Sequence, residues 1–415
     1  MLPHSAHRIH PEPGGSSQSR TLLIVFLTVF LDLVGFGIII PIQPFFAESL
    51  GATPAIVTLL GASYSLMQFL FSPFWGRLSD RMGRRPIMLV SILITSLGYL
   101  FFGLAHSLAI LFLARMLSGF GSANIGTAQA IIADSTTAEK RAKGMGLIGA
   151  AFGLGFIFGP AIGGLLSQIS IATPMYFAAG LAFLNFVLAM FFLPETLDKK
   201  NARAAASTSH ASFSWKALRH AARHANVPML LTLYFIYSAA FSLMEASFGL
   251  FVQYAFTEGA SDTAKAAARL TATALILVGV TATIVQGGLI GRLVKTFGEW
   301  KLARFGLLMI TIAMVSIPLV GSTHHFGLFA ALMPLMALGT GTLNPSLSSL
   351  LSRSVFVDEQ GGTLGLAQGL AALGRVGGPA VAGLLFESHP SGPFYASGVL
   401  LVCCLALAMR KPKVA

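Results

Sequence analysis

Charge is scarce in this chain. Only 10% of its 415 residues are Asp, Glu, Lys or Arg, 55% are hydrophobic, and the mean hydropathy of +0.77 lies far outside the range of soluble domains. That excludes an ordinary soluble protein and implies a polytopic membrane protein. Cysteine is nearly absent. The two present, Cys403 and Cys404, adjoin each other inside the last apolar run, which leaves no disulfide framework and no metal site and makes them lipid-facing or packed filler. No G-x4-G-K-[ST] stretch occurs, so a P-loop cannot supply energy from ATP. Most of the ten histidines lie in tails or loops, away from acids at membrane depth, which argues against an embedded enzyme. Acids are the rarer sign, 15 against 27 Lys and Arg, for a net charge of +12. The bases are scattered over short loops rather than gathered on one polar face, so they speak for a basic cytoplasmic side and not for nucleic acid.

What is present is apolar length. Runs able to cross roughly 30 Å of hydrocarbon fall near 22–45, 55–75, 86–105, 108–132, 144–167 and 174–193, then 228–252, 270–290, 302–320, 326–350, 362–385 and 394–409. These are segments 1 to 12. They predict an all-α membrane protein of twelve transmembrane helices in two six-helix bundles, 21–197 and 227–409, joined by a polar linker at 198–226. Residues 1–20 read as a disordered cytoplasmic tail and 410–415 as a second one, and the first run is too long for a signal peptide. With both termini cytoplasmic, inner loops and tails carry 23 Lys and Arg and outer loops two, Lys265 and Arg269. The last two, Arg115 and Arg375, lie within segments.

Between segments 2 and 3 stands Gly76 to Arg85, GRLSDRMGRR, with four arginines and one aspartate in ten positions. Gly76 and Gly83 permit a sharp reversal, and Asp80 can accept bonds from arginine or backbone N–H groups. Here the sequence resembles the major facilitator superfamily, whose signature loop G-x-L-x-D-R-x-G-R-R it matches at every fixed position, Arg81, Arg84 and Arg85 included. The halves repeat, as that resemblance implies: 146–166 aligns with 365–385 at 10 of 21 positions, and Gly291, Leu293 and Gly298 echo Gly76, Leu78 and Gly83, with Lys295 in place of the aspartate.

Segment 5 carries Gly146-x8-Gly155-x3-Gly159-Pro160-x2-Gly163-Gly164. Glycines every four residues bare one helix face for close packing, and the full pattern is similar to the motif of the drug:proton antiporter branch. In segment 1, Asp32 precedes Gly35-x-Gly37-x3-Pro41-x2-Pro44, which resembles tetracycline-efflux proteins. An intramembrane carboxylate is costly and so a candidate functional group. Arg115-x3-Gly119 is similar to the superfamily's segment 4 motif. Glu245 stands alone in segment 7, and Arg375 is either a substrate-site charge or a partner for Glu245. Placed by depth, Asp32 and Arg115 fall within a helical turn of each other, which makes Asp32 the expected proton carrier, Arg115 its tuner and Glu245 the rival. Asp134 and Arg141 adjoin the signature loop, where the resemblance implies a gate latch of Asp80, Arg84 and Asp134, broken when the inner side opens. Gln43, Gln68, Asn124, Gln286, Asn344 and Arg375 are candidate substrate contacts.

The resemblance implies a proton-coupled exporter of a small amphipathic or drug-like molecule by alternating access. It would work as a monomer in the plasma membrane, with substrate, protons and lipid as partners and no cofactor or metal. Segments 3 and 9 lack the acids that tetracycline-efflux proteins carry there, so it stops short of tetracycline. A metabolite uniporter or importer of the same superfamily, and a membrane receptor without transport, remain as alternatives.

Overall fold

The computed structural model describes residues 15–136, 138–197, 224–355 and 360–410, with side chains described from residue 20 except at 138–147, 149, 152 and 360–362. Most of the linker and residues 1–14 of the N-terminal stretch lie outside this set. Among the described residues, eleven helices are long and apolar enough to cross a membrane, and Gly153–Leu166 is a shorter apolar twelfth.

Local chemistry sets the ends and breaks. Segment 1 is helical from Gly15 to Ile39, starting within the stretch read as tail, and stops before Pro41; a separate short helix, Gln43–Ser49, carries Pro44 near its start. Segment 2 is Pro54–Met82 and segment 3 is Arg84–Gly103, so the signature stretch is mostly helix. Gly83 alone makes the reversal, at φ +117°, where a side chain would be strained. Gly76 lies inside segment 2 and turns nothing, contrary to its expected role, because the break needs only one residue. Segment 4 is split into Leu108–Gly121 and Ile125–Ser135 around Ser122–Asn124. Segments 5, 6 and 7 are Ala138–Leu166, Thr173–Phe192 and Val227–Phe256. Segment 8 runs Thr263–Ile284, widens to a π-turn at Val285–Leu289, and ends as Ile290–Phe297. Segments 9 to 12 are Glu299–Gly321, Phe326–Arg353, Gln360–Ser388 and Gly392–Met409.

The packing repeats between halves. Segment 1 lies on 5 as 7 lies on 11, 3 on 4 as 9 on 10, and 3 on 6 as 9 on 12. Segments 3, 6, 9 and 12 expose large apolar side chains such as Phe101, Phe191, Leu319 and Val402, an exposure that only lipid makes favourable. Cys403 is exposed among them and Cys404 is buried.

Two seams join the halves, segment 2 with 11 and segment 5 with 8. On the side away from the signature stretch, called here the far side, both are tight. A Cβ on Gly383 would fall on Ala55 Cα, and one on Gly164 would meet Ala272 Cβ at 2.5 Å. Gln168 Nε2 donates to Lys265 O at 3.3 Å across the second seam. Burial pushes the Glu48 carboxyl up, opposed by its hydrogen bond with Gln253 of segment 7. On the signature side the seams part. Gly76, Gly287, Gly288 and Gly291 have open space where a Cβ would stand, and Ile290–Phe297 holds no buried residue. Among the described residues the halves are therefore closed on the far side and open on the signature side.

Candidate functional site

Close backbone packing places the polar groups of the first half. In Arg115-x3-Gly119, the glycine lets segment 4 approach segment 2 so nearly that a Cβ would fall on Tyr64 O. One turn away the Arg115 guanidinium lies 4.4 Å from the centroid of the Tyr64 ring, a cation–π contact. Arg115 is 4% exposed, and its Nε and Nη1 have no hydrogen-bond partner. Gly35 leaves room for the Tyr99 ring, whose hydroxyl is likewise buried without a partner.

Asp32 lies on segment 1 with Oδ1 buried and unpartnered. Its polar neighbour is Asn124, in the break of segment 4, whose Nδ2 donates to Ser91 Oγ at 3.0 Å. Asp32 and Arg115 do not pair. Tyr64 and Tyr99 each lie within electrostatic range of both. Equal depth along two helices said nothing about whether the two side chains meet.

The segment 5 glycines pack against the same helix. Cβ atoms at Gly155, Gly159 and Gly163 would meet Leu33, Gly37 and Ile38 of segment 1 at 2.7 Å or less, and Gly153 and Gly164 face segment 8. The motif thus braces the residues that follow Asp32 and reaches the seam between halves. The surroundings of Gly146 and the side chain of Arg141 lie outside the described set.

In the second half Arg375 is the charge that Glu245 senses, and it also senses Tyr237 and, from the first half, Tyr64. Asn344 Nδ2 donates to Tyr237 Oη at 3.3 Å, and Tyr234 Oη bonds Ser348 Oγ at 2.6 Å, so an aromatic and amide face descends segments 7 and 10 from Glu245. Among the other amides, Gln68 Nε2 reaches Ser122 O at 3.2 Å and bridges segments 2 and 4. Gln286 is exposed in the π-turn. Two drop out as open-cavity contacts: Asn124 is 2% exposed, and Gln43 sits on the short far-side helix beyond segment 1.

At the signature stretch, Arg84 is 9% exposed and joins three partners, with Nη1 on Asp80 Oδ1 and Ser79 Oγ and Nε on Asp134 Oδ2 at 3.0 Å. All of these belong to segments 2, 3 and 4 of one half. The trio is intact although the signature side is open, which corrects the expected latch: it braces its own half and does not break on that opening. Sequence reasoning missed Glu195, just past segment 6, whose carboxylate accepts from Arg84 N at 2.9 Å and Arg85 N at 3.3 Å and so caps segment 3. Its signal was slight, an acid in the Leu-Pro-Glu-Thr that ends the half. Glu195→Ala should lower the melting temperature of the purified protein by about 2–4 °C, the scale of one lost cap, with substrate affinity unchanged; an affinity loss would place Glu195 in the binding site instead.

The second half has its own brace. Gly298, at φ +78°, matches Gly83, so Glu299 stands where Arg84 does. Its carboxylate meets Arg353 at 3.1 Å, at the end of segment 10, and accepts from Ser349. The bridge is repeated with its charges exchanged.

A sequence profile of the Major Facilitator Superfamily matches residues 25–376. The chain is 30% identical over 398 residues to multidrug resistance protein 2 of Bacillus subtilis, covering 95% of this chain and 96% of that one. It is 31% identical over 378 residues to the class C tetracycline resistance protein of Escherichia coli, covering 90% and 91%. Among solved structures, a bacterial homologue of the human lysosomal transporter Spinster, inward-facing and unoccupied, superimposes with a TM-score of 0.72 at 16% identity over 95% of this chain and 97% of that one. The human organic anion transporter TETRAN does so at 0.68 and 24%, over 94% and 99%. The paired bundles, the signature stretch and these likenesses agree: the chain belongs to the major facilitator superfamily.

Proposed function

We propose that this protein is a proton-coupled exporter of small amphipathic, drug-like molecules that works by alternating access. The single observation behind it is Asp32, a membrane-depth carboxylate with one oxygen buried and unpartnered, braced against the seam between two halves that are closed on one side and open on the other. An orphaned carboxylate there has two ways to relieve its cost, a proton or a cationic substrate group. If the two compete for it, proton entry and substrate exit become coupled. Kinship with the multidrug and tetracycline resistance proteins supports export. The basic loops support a plasma-membrane orientation with both termini in the cytoplasm, so that the signature side faces inward. A single chain suffices, since each half supplies one acid, one arginine and tyrosines, and no cofactor is required beyond the proton gradient.

The test uses proteoliposomes with an acidic lumen and tetraphenylphosphonium as the probe. Uptake of the cation should alkalinise the lumen in step with it. Probe movement without proton movement would point to a uniporter, and no protein-dependent movement of this or a panel of amphipathic compounds would overturn the exporter reading.

A further inference from the structure

Segment 2 begins on the far side with an unmet need. Thr53 occupies the position before the helix, but its side chain makes no capping bond. Pro54 has no N–H, so Ala55 carries the first amide that the helix leaves without a partner. Its acceptor comes from the other half. Glu387 Oε1, near the end of segment 11, lies 3.1 Å from Ala55 N. One turn back, Gly383 lets the two backbones meet, with the site of its missing Cβ against Ala55 Cα and over the Thr58 hydroxyl. The other seam is closed by Gly164 against Ala272 and by the amide of Gln168; the carboxylate at its helix start, Asp262 on Lys265 N, belongs to the same half as the helix it caps.

We propose that Glu387 is a positioning residue of the transport cycle, whose carboxylate caps segment 2 across the boundary, holds the far side shut, and lets go of Ala55 when that side opens. A negative charge at a helix N-terminus is favoured by both the exposed amides and the macrodipole. Donor and acceptor belong to different halves, so the bond exists only while the far side is closed. Its strength therefore shifts the balance between the two conformations and not the folding of either half. A typical cap corresponds to about a fivefold change in such a balance. The inference rests on alternating access as proposed above, and on nothing about what is carried.

Thr58 gives the readout, being 1% exposed directly beneath Gly383. With Cys403 and Cys404 replaced by serine and Thr58 by cysteine, a membrane-impermeant maleimide is added from the far side of intact cells. Glu387→Ala should label about fivefold faster than the parent. Glu387→Gln, which keeps an acceptor oxygen but no charge, should fall between them and guards against misfolding of the alanine variant. Equal labelling in parent and both variants, with parent labelling still altered by tetraphenylphosphonium, would overturn the role of Glu387 alone. A parent whose labelling ignores both the cation and the pH gradient would instead count against alternating access.

Discussion

A leucine at position 159 is expected to leave the protein inserted in the membrane and unable to cycle. The site of a Cβ on Gly159 is 2.6 Å from Gly37 Cα and 2.9 Å from Ile38 N. Both are backbone atoms, so no neighbouring rotamer can yield, and segments 1 and 5 would have to separate by more than an ångström. Overpacking by one or two methylenes costs about 1–3 kcal/mol in well-packed interiors, and here the added group is larger and the obstacle stiffer. Segment 1 also carries Asp32, so the same displacement would disturb the group proposed to take the proton. Transport should fall at least about 100-fold at normal membrane abundance, the scale of about 3 kcal/mol, with Gly159→Ala intermediate. Initial rates in proteoliposomes of matched protein content decide the point, and wild-type rates for the leucine variant would show that the close approach has no part in the cycle.

Asparagine at position 32 should abolish uphill export while leaving downhill exchange. The amide fills the same volume and can still face Asn124, but it neither binds nor releases a proton near neutral pH. The rival acid, Glu245, differs in its surroundings: it has Arg375 as a charge partner, whereas Asp32 has an amide and one orphaned oxygen. Glu245 and Arg375 form no ion pair among the described residues, but an arginine within electrostatic range favours a charged acid and Asp32 has no such neighbour, which is why Asp32 is the proposed carrier. The measurement is probe accumulation under an imposed pH gradient, set beside exchange without one. If Asp32→Asn still accumulates the probe and Glu245→Gln does not, the roles are reversed.

The architecture was legible because its signals are long. Twelve apolar runs and two repeated stretches survive errors of several residues at each end, and the helices indeed overrun the apolar limits, as in segment 2, which continues through Arg77 and Asp80 to Met82. Spacing also revealed the segment 5 glycines, since a four-residue period fixes one face. The site was less legible. Tyr64 and Tyr99 come near both Asp32 and Arg115 through close approaches of Gly119 to the Tyr64 backbone and of Gly35 to the Tyr99 ring, contacts between helices far apart in sequence. Asn124 was read as a cavity amide, yet a break in segment 4 buries it beside Asp32. Glu195 and Glu387 were invisible for a related reason, because each caps the start of a helix more than 100 residues away.

The exchanged charges of the two braces have an electrical consequence. A helix is positive at its start and negative at its end. In the second half Glu299 sits at the start of segment 9 and Arg353 at the end of segment 10, so each charge meets the pole that welcomes it. In the first half Arg84 sits at a positive pole and Asp134 near a negative one, and the bridge is wired against both helices. Glu195 offsets part of that opposition by laying a carboxylate on the Arg84 and Arg85 amides. One clasp is therefore at rest and the other is held under load by a third charge. The brace beside the signature stretch and Asp32 therefore leans on Glu195 to offset its opposed dipoles, whereas the second-half brace sits with both of its helix poles.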